Sequence, residues 1–128
     1  MRKITKRCLR GWLVGLTLGT FIAGGAMSGL LAQAAFFSTV EDLPLMSGLL
    51  EIADEGMVFD KPEGRIVEVV AAGTVLRGAV VAYYESTLPE LGWHREGVAE
   101  FVRSGEVLRY RLETVGGMTE IRFTIAPN

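Results

Sequence analysis

Two hydrophobic periods follow one another in the second half of the chain. Residues 74–93 carry apolar side chains at steps of three or four, the period of an amphipathic helix. The face predicted to be buried consists of Leu76, Val80, Tyr83, Thr87 and Leu91. After Gly92, apolar and polar residues alternate, which is typical of half-buried antiparallel strands. We therefore expect one helix followed by a β-meander.

Turn residues divide the strand-forming segments. Four segments separated by glycine-containing turns make up the expected meander: residues 93–96, 100–103, 107–114 and 119–126. Before the helix, "MVFD" (57–60) and "RIVEVVAAG" (65–73) flank "KPEG", which favours a hairpin. The predicted fold class is α+β: a hairpin, one helix and a four-stranded meander, with the helix on one face of a small antiparallel sheet.

The ends of the predicted helix carry specific expectations. Thr74 is the expected N-cap, and Gly92 is placed to end the helix in a left-handed conformation. Pro89 removes a backbone hydrogen bond, so we expect a kink or break there, with Pro89 opening a short last turn. Trp93 and Tyr83 are predicted to lie in the core and Tyr84 at its rim.

Residues 1–34 have the pattern of a secretory leader. Five cations and no acid precede an uncharged run over residues 11–34. Ala32-Gln33-Ala34 fits a signal-peptidase site, with cleavage before Ala35. The run is also long enough to cross a bilayer as a helix, so a retained membrane anchor is the alternative. Residues 35–56 are then a connecting segment and residues 57–128 the α+β domain.

Both alternatives imply the same side of the membrane. The N-terminal cations favour a cytoplasmic N-terminus, so the C-terminal domain is expected in the periplasm or tethered outside the cytoplasmic membrane. If the leader is retained, Gly11, Gly15 and Gly19 recur every four residues, a spacing that favours close helix packing and a homodimer.

Charge and cysteine content exclude several functions. Residues 35–128 hold fifteen acids against eight Lys and Arg, a net charge of −7, which disfavours nucleic-acid binding. Cys8, in the leader, is the only cysteine, so the domain has no disulfide. The single histidine, His94, has no second histidine or cysteine to join it and is expected to be exposed.

Clustered charges offer two candidate surfaces. Acids crowd residues 51–63 without the spacing of a calcium-binding loop, so solvated turns are the favoured interpretation and calcium the alternative; they are Glu51, Asp54, Glu55, Asp60 and Glu63. On the last two strands, Arg109, Arg111 and Arg122 share the outward face with Glu113 and Glu120. That face forms either cross-strand ion pairs or a surface for a protein partner.

The helix end resembles a pattern found in small exported proteins of Gram-negative bacteria, most of them uncharacterised. The matching positions are Tyr84, Leu88, Pro89, Leu91, Gly92 and Trp93. The resemblance covers residues 57–126 and implies an envelope location and a compact α+β domain, with no catalytic residues.

Three functions are compatible with these patterns. The first is a non-enzymatic envelope domain that acts through protein contacts at its open sheet face or an exposed edge strand, with no catalytic residue, metal or cofactor. The second is a module that binds a small apolar ligand or lipid between helix and sheet. The third is a hydrolase that uses paired carboxylates.

Overall fold

The computed structural model describes residues 34–128. The expected glycine packing face and most of the leader, including Ala32, lie outside this range. Within it, Ala34 and Ala35 are exposed. The one α-helix of residues 34–128 falls short of the length and apolar character that a membrane crossing requires.

The domain is α+β, with one main antiparallel sheet and one α-helix. Two further short strands, β1 (Ala35–Phe36) and β2 (Pro44–Leu45), pair with each other. The main sheet is formed by β3 (Leu50–Glu51), β4 (Met57–Lys61), β5 (Gly64–Gly73), β6 (His94–Gly97), β7 (Glu100–Arg103), β8 (Glu106–Val115) and β9 (Met118–Pro127). Its order is β5-β9-β8-β7-β6, with β3 and β4 both paired to the outer edge of β5. The predicted hairpin and four-stranded meander are confirmed.

Tight turns fix the registers of the long strands. Gly116 and Gly117 both have positive φ, +57° and +79°, between the paired residues Val115 and Met118. Two successive residues with positive φ form the turn whose twist matches that of a β-hairpin, and glycine adopts it without strain. This register directs Ile121 and Phe123 to the helix side and Arg122 to the opposite face, which we call the open face.

The helix α1 (Arg77–Glu90) packs on the sheet through Val80, Tyr84 and Leu88, all fully buried. The predicted face is therefore rotated. Leu76 is 80% exposed, and Tyr84, not Tyr83, reaches the core because positions four residues apart bring it into line with Val80 and Leu88. Trp93 is buried, as predicted.

The ends of α1 differ in part from the expectation. The residue at the N-cap is Leu76, without a side-chain hydrogen bond, and Thr74 lies outside the helix. The helix is not broken at Pro89 but continues to Glu90, so that Pro89 lies in its last turn. Gly92 has a φ of +86° and ends the helix as predicted.

Residues 35–56 are packed into the domain. Phe37, Leu43 and Leu49 are buried and belong to the same core as α1 and the sheet. The Tyr84 hydroxyl donates a 2.9 Å hydrogen bond to the Pro44 carbonyl, and the Met46 N–H donates to the Tyr84 hydroxyl. The segment expected to be a connection thus completes the core of the domain.

Candidate functional site

The three arginines of the candidate partner surface, Arg109, Arg111 and Arg122, lie on the open face, and each is bonded to a carboxylate of the same domain. The Arg109 Nε donates to Glu100 at 2.7 Å, across the β7–β8 pair. Arg111 pairs with Glu113 at 3.0 Å, with both side chains more than half exposed. The open face therefore contains both cations and anions, close together.

Arg122 is the centre of the largest ion-pair network on this face. It lies 2.6 Å from Glu68, 2.8 Å from Glu55 and 3.3 Å from Glu120. The hydrogen bond to Glu68 is the main cause that raises the pKa of Arg122. Glu55 belongs to a 3₁₀ turn over Ala53–Glu55, so this network fastens the segment before β4 to the middle of the sheet.

A shallow depression of about 340 Å³ lies beside this network. Its lining includes Glu68, Arg109, Arg111, Arg122 and Thr124. The arginines that line it are each paired with a carboxylate of the domain, which offsets their charge. This geometry favours the interpretation of these residues as ion pairs within the sheet.

A second depression, of about 380 Å³, has an apolar floor of Val67 and Ile125. Three carboxylates at its rim belong to Glu41, Asp42 and Glu106. Asp42 forms an ion pair with Arg103, whose guanidinium also stacks 4.2 Å from the Trp93 ring centre and donates to the Leu91 carbonyl. The Arg103 contacts anchor the segment before β2 to the end of α1.

Helix and sheet meet without a gap at the buried face of α1. Val80, Tyr84 and Leu88 have no exposed surface, and the Tyr84 ring makes an edge contact with Phe123 at 4.8 Å. Burial raises the pKa of the Tyr84 hydroxyl. The geometry gives no support to a ligand site between the helix and the sheet.

The acids of residues 51–63 are spread over several environments. Glu51 accepts hydrogen bonds from the Ser38 N–H and hydroxyl, both at 2.9 Å, and Glu55 binds Arg122. Asp54, Asp60 and Glu63 are exposed. Among residues 34–128, the structure brings together no group of three acids, histidines or cysteines that could hold a metal ion. His94 is exposed on β6, on the side opposite to Trp93, as alternation predicts.

The edge strand β4 is the feature that sequence reasoning located but did not single out. All five of its residues are exposed, including three consecutive apolar ones: Met57 (48%), Val58 (42%) and Phe59 (51%). The signal was the apolar stretch "MVF" in the first strand of the predicted hairpin. Its position at a sheet edge could not be read from the sequence, because it depends on β9 pairing with the other side of β5.

The opposite edge of the sheet is protected. β6 has four residues, begins with the polar run His94-Arg95-Glu96, and its pairing with β7 is irregular between Arg95 and Gly97. Short length, charge and bulges are the usual devices that prevent an edge from accepting another strand. β4 is the less protected of these two edges, because its first three residues are apolar and exposed.

Comparison with protein-family models, with curated proteins and with solved structures gave no match to this chain.

Proposed function

We propose that this protein is a non-enzymatic domain of the Gram-negative envelope that acts through protein contacts made at the edge strand β4. The observation that carries the proposal is the exposure of Met57, Val58 and Phe59 on a strand with only one neighbouring strand in residues 34–128. An edge of this kind offers backbone donors and acceptors to a further strand, while its side chains contribute apolar contact.

The proposed location rests on the sequence of the leader. Cations before an uncharged run favour a cytoplasmic N-terminus, and the resemblance to exported proteins supports the same side of the membrane. Phe37 is already part of the core, so only two residues separate it from the proposed cleavage site before Ala35. The domain would therefore be complete whether the leader is removed or retained.

The charged groups support a binding role over a catalytic one. The arginines of the open face are bonded to carboxylates, and the Asp42 carboxylate at the second depression is bonded to Arg103. Such pairs stabilise the fold and leave these groups committed to one another. The apolar edge, in contrast, has no partner within the domain.

In-cell photocrosslinking tests the proposal. A photoreactive phenylalanine analogue replaces Phe59 in the full-length protein, and a matched variant carries it in place of Val98, which is 92% exposed in the β6–β7 turn. We expect a discrete protein adduct from position 59 in the membrane or periplasmic fraction and none from position 98. Equal adducts from both positions, or none from position 59, would contradict a specific contact at β4.

A further inference from the structure

We propose that one end of the sheet lies against the surface of a lipid bilayer. At this end β5 and β8 finish and β9 begins. We call it the apolar end, and it consists of residues 46–50, 73–78 and 114–119. Four large apolar side chains there are between 42% and 80% exposed: Leu50, Leu76, Val115 and Met118. This inference rests on residues outside β4 and does not depend on the proposed protein contact there.

The three segments of the apolar end are fastened to one another. Gly73 at the end of β5 is paired with Thr119 of β9, and the Thr119 hydroxyl donates a 2.7 Å hydrogen bond to the Val75 carbonyl. The Gly48 carbonyl packs so closely on Gly73 that no side chain would fit between them. The exposed apolar side chains therefore project from a fixed platform and form the kind of patch that marks a membrane or protein interface.

The apolar end contains a single charged residue, the exposed Arg77. The nearest carboxylates on β8 and β9 belong to Glu113 and Glu120, and they are bonded to Arg111 and Arg122. Apolar side chains gain free energy when they enter the boundary of the acyl chains, and a guanidinium binds headgroup phosphates. This end therefore has the composition of a lipid-binding surface, although the domain as a whole is acidic.

The opposite end of the same sheet has the reverse character. Its two hairpin turns, after β4 and after β7, carry the exposed side chains of Lys61, Glu63 and Glu106. Charged groups lose hydration when they enter a bilayer, and this loss opposes insertion. Of the two ends of the sheet, the apolar end is the one that can approach lipid without burying a carboxylate.

The chain also enters the domain from the side of the apolar end. It continues from β2 to Gly48, and β1 runs antiparallel to β2, with Ala35 paired to Leu45. Following β1 back to Ala34 therefore leads toward the apolar end. Residues 11–34 are uncharged and long enough to cross a bilayer, so a retained leader would tether the domain to the membrane from this side.

Spin labelling of the full-length protein in phosphatidylcholine nanodiscs tests the inference. In a Cys8→Ser background, a nitroxide is attached through Thr74→Cys at the apolar end or through Glu63→Cys at the opposite end, both at exposed positions. We expect the label at position 74 to collide more often with oxygen, which is concentrated in the bilayer, than with a water-soluble nickel chelate. The label at position 63 should show the reverse.

Matched variants assign the contact to the exposed apolar side chains. Leu76→Ser with Met118→Ser removes two of them and should shift the label at the apolar end toward the nickel chelate. Met57→Ser with Phe59→Ser removes two exposed apolar side chains from β4 and should leave that label unchanged. Arg77→Glu should also reduce contact with lipid, because headgroup phosphates repel a carboxylate. All these positions are exposed, so the fold should persist in each variant.

Three outcomes would overturn the inference. The first is equal behaviour of the labels at positions 74 and 63, and the second is an equal effect of the two double-serine variants. The third is magnetic broadening by a second nitroxide at position 74, which would identify another copy of the chain as the occupant. Cross-linking at Phe59 tests the proposed function separately and is unaffected by any of these results.

Discussion

The hydroxyl of Tyr84 in the helix donates a 2.9 Å hydrogen bond to the carbonyl of Pro44, forty residues earlier in the chain. The same oxygen accepts the N–H of Met46 at 3.3 Å. One buried side chain thus satisfies two backbone groups of the segment over residues 35–56. This contact is the main polar link between that segment and α1.

Removing this hydroxyl should therefore loosen the segment. We expect Tyr84→Phe to lower the free energy of unfolding by about 2 kcal/mol, because a buried carbonyl and an N–H lose their partner. Tyr83→Phe is the control, since the half-buried Tyr83 side chain lies beside the core; it should change stability by less than about 0.5 kcal/mol. Urea denaturation measures both, and equal effects would contradict the assigned role.

Because its hydroxyl is buried, Tyr84 should also make the free energy of unfolding fall at alkaline pH. Burial raises the pKa of its hydroxyl above the ordinary value of about 10, so the full contribution is present below pH 10. Above that pH the Tyr84 hydroxyl ionises in the unfolded chain but stays protonated in the folded domain. The free energy of unfolding should then fall by about 1.4 kcal/mol per pH unit for this residue.

Tyr84→Phe should remove the contribution of Tyr84 to the fall of the free energy of unfolding above pH 10. Part of the slope should persist in the variant, because burial also raises the pKa of Tyr110. Urea unfolding at several values between about pH 9 and pH 11 measures the two slopes. Identical slopes for wild type and variant would show that Tyr84 ionises as easily in the folded domain as in the unfolded chain.

The ion-pair network of the open face makes a different prediction. Arg122→Met should destabilise the domain by about 2 kcal/mol at pH 7, because Glu68, Glu55 and Glu120 lose their shared cation. Arg111→Met breaks one exposed pair and should cost less than about 0.5 kcal/mol. Urea denaturation measures both variants, and equal losses for Arg122→Met and Arg111→Met would contradict the network as the cause.

Two glycine-to-alanine substitutions should act in opposite directions. A Cβ at Gly73 would lie 1.9 Å from the Gly48 carbonyl oxygen, so Gly73→Ala must push β5 and residue 48 apart. We expect a loss above about 3 kcal/mol. A Cβ at Gly78, in the first turn of α1, meets no atom within 4 Å, and Gly78→Ala should stabilise by about 0.5 kcal/mol. Thermal denaturation distinguishes the signs.

Local pattern predicted the meander well because its two long strands alternate and glycine-containing turns separate its four strands. The helix face was harder to predict. Tyr83 and Tyr84 are chemically equal neighbours. Tyr84 is the one in line with Val80 and Leu88, and its packing on Phe123 and its acceptor at Pro44 hold it in the core. The docking of Phe37 depends on contacts far along the chain, which no local pattern reports.

The open face and the exposed edge β4 could also be predicted only in part from local sequence pattern. Alternation predicted correctly that Arg109, Arg111 and Arg122 share the face away from the helix. It could not predict that Arg122 would bind three carboxylates, one of them from the 3₁₀ turn before β4. The exposed edge itself follows from strand order, a property of the assembled sheet.

Cysteine labelling in cells tests location and contact together. In a Cys8→Ser background, single variants Phe59→Cys and Val98→Cys receive a membrane-impermeant maleimide after the outer membrane is permeabilised. The account predicts that position 98 is labelled and position 59 is protected, and that both are labelled equally after purification in detergent. Equal labelling in cells would contradict a partner at β4, and no labelling of position 98 until the cytoplasmic membrane is broken would contradict export.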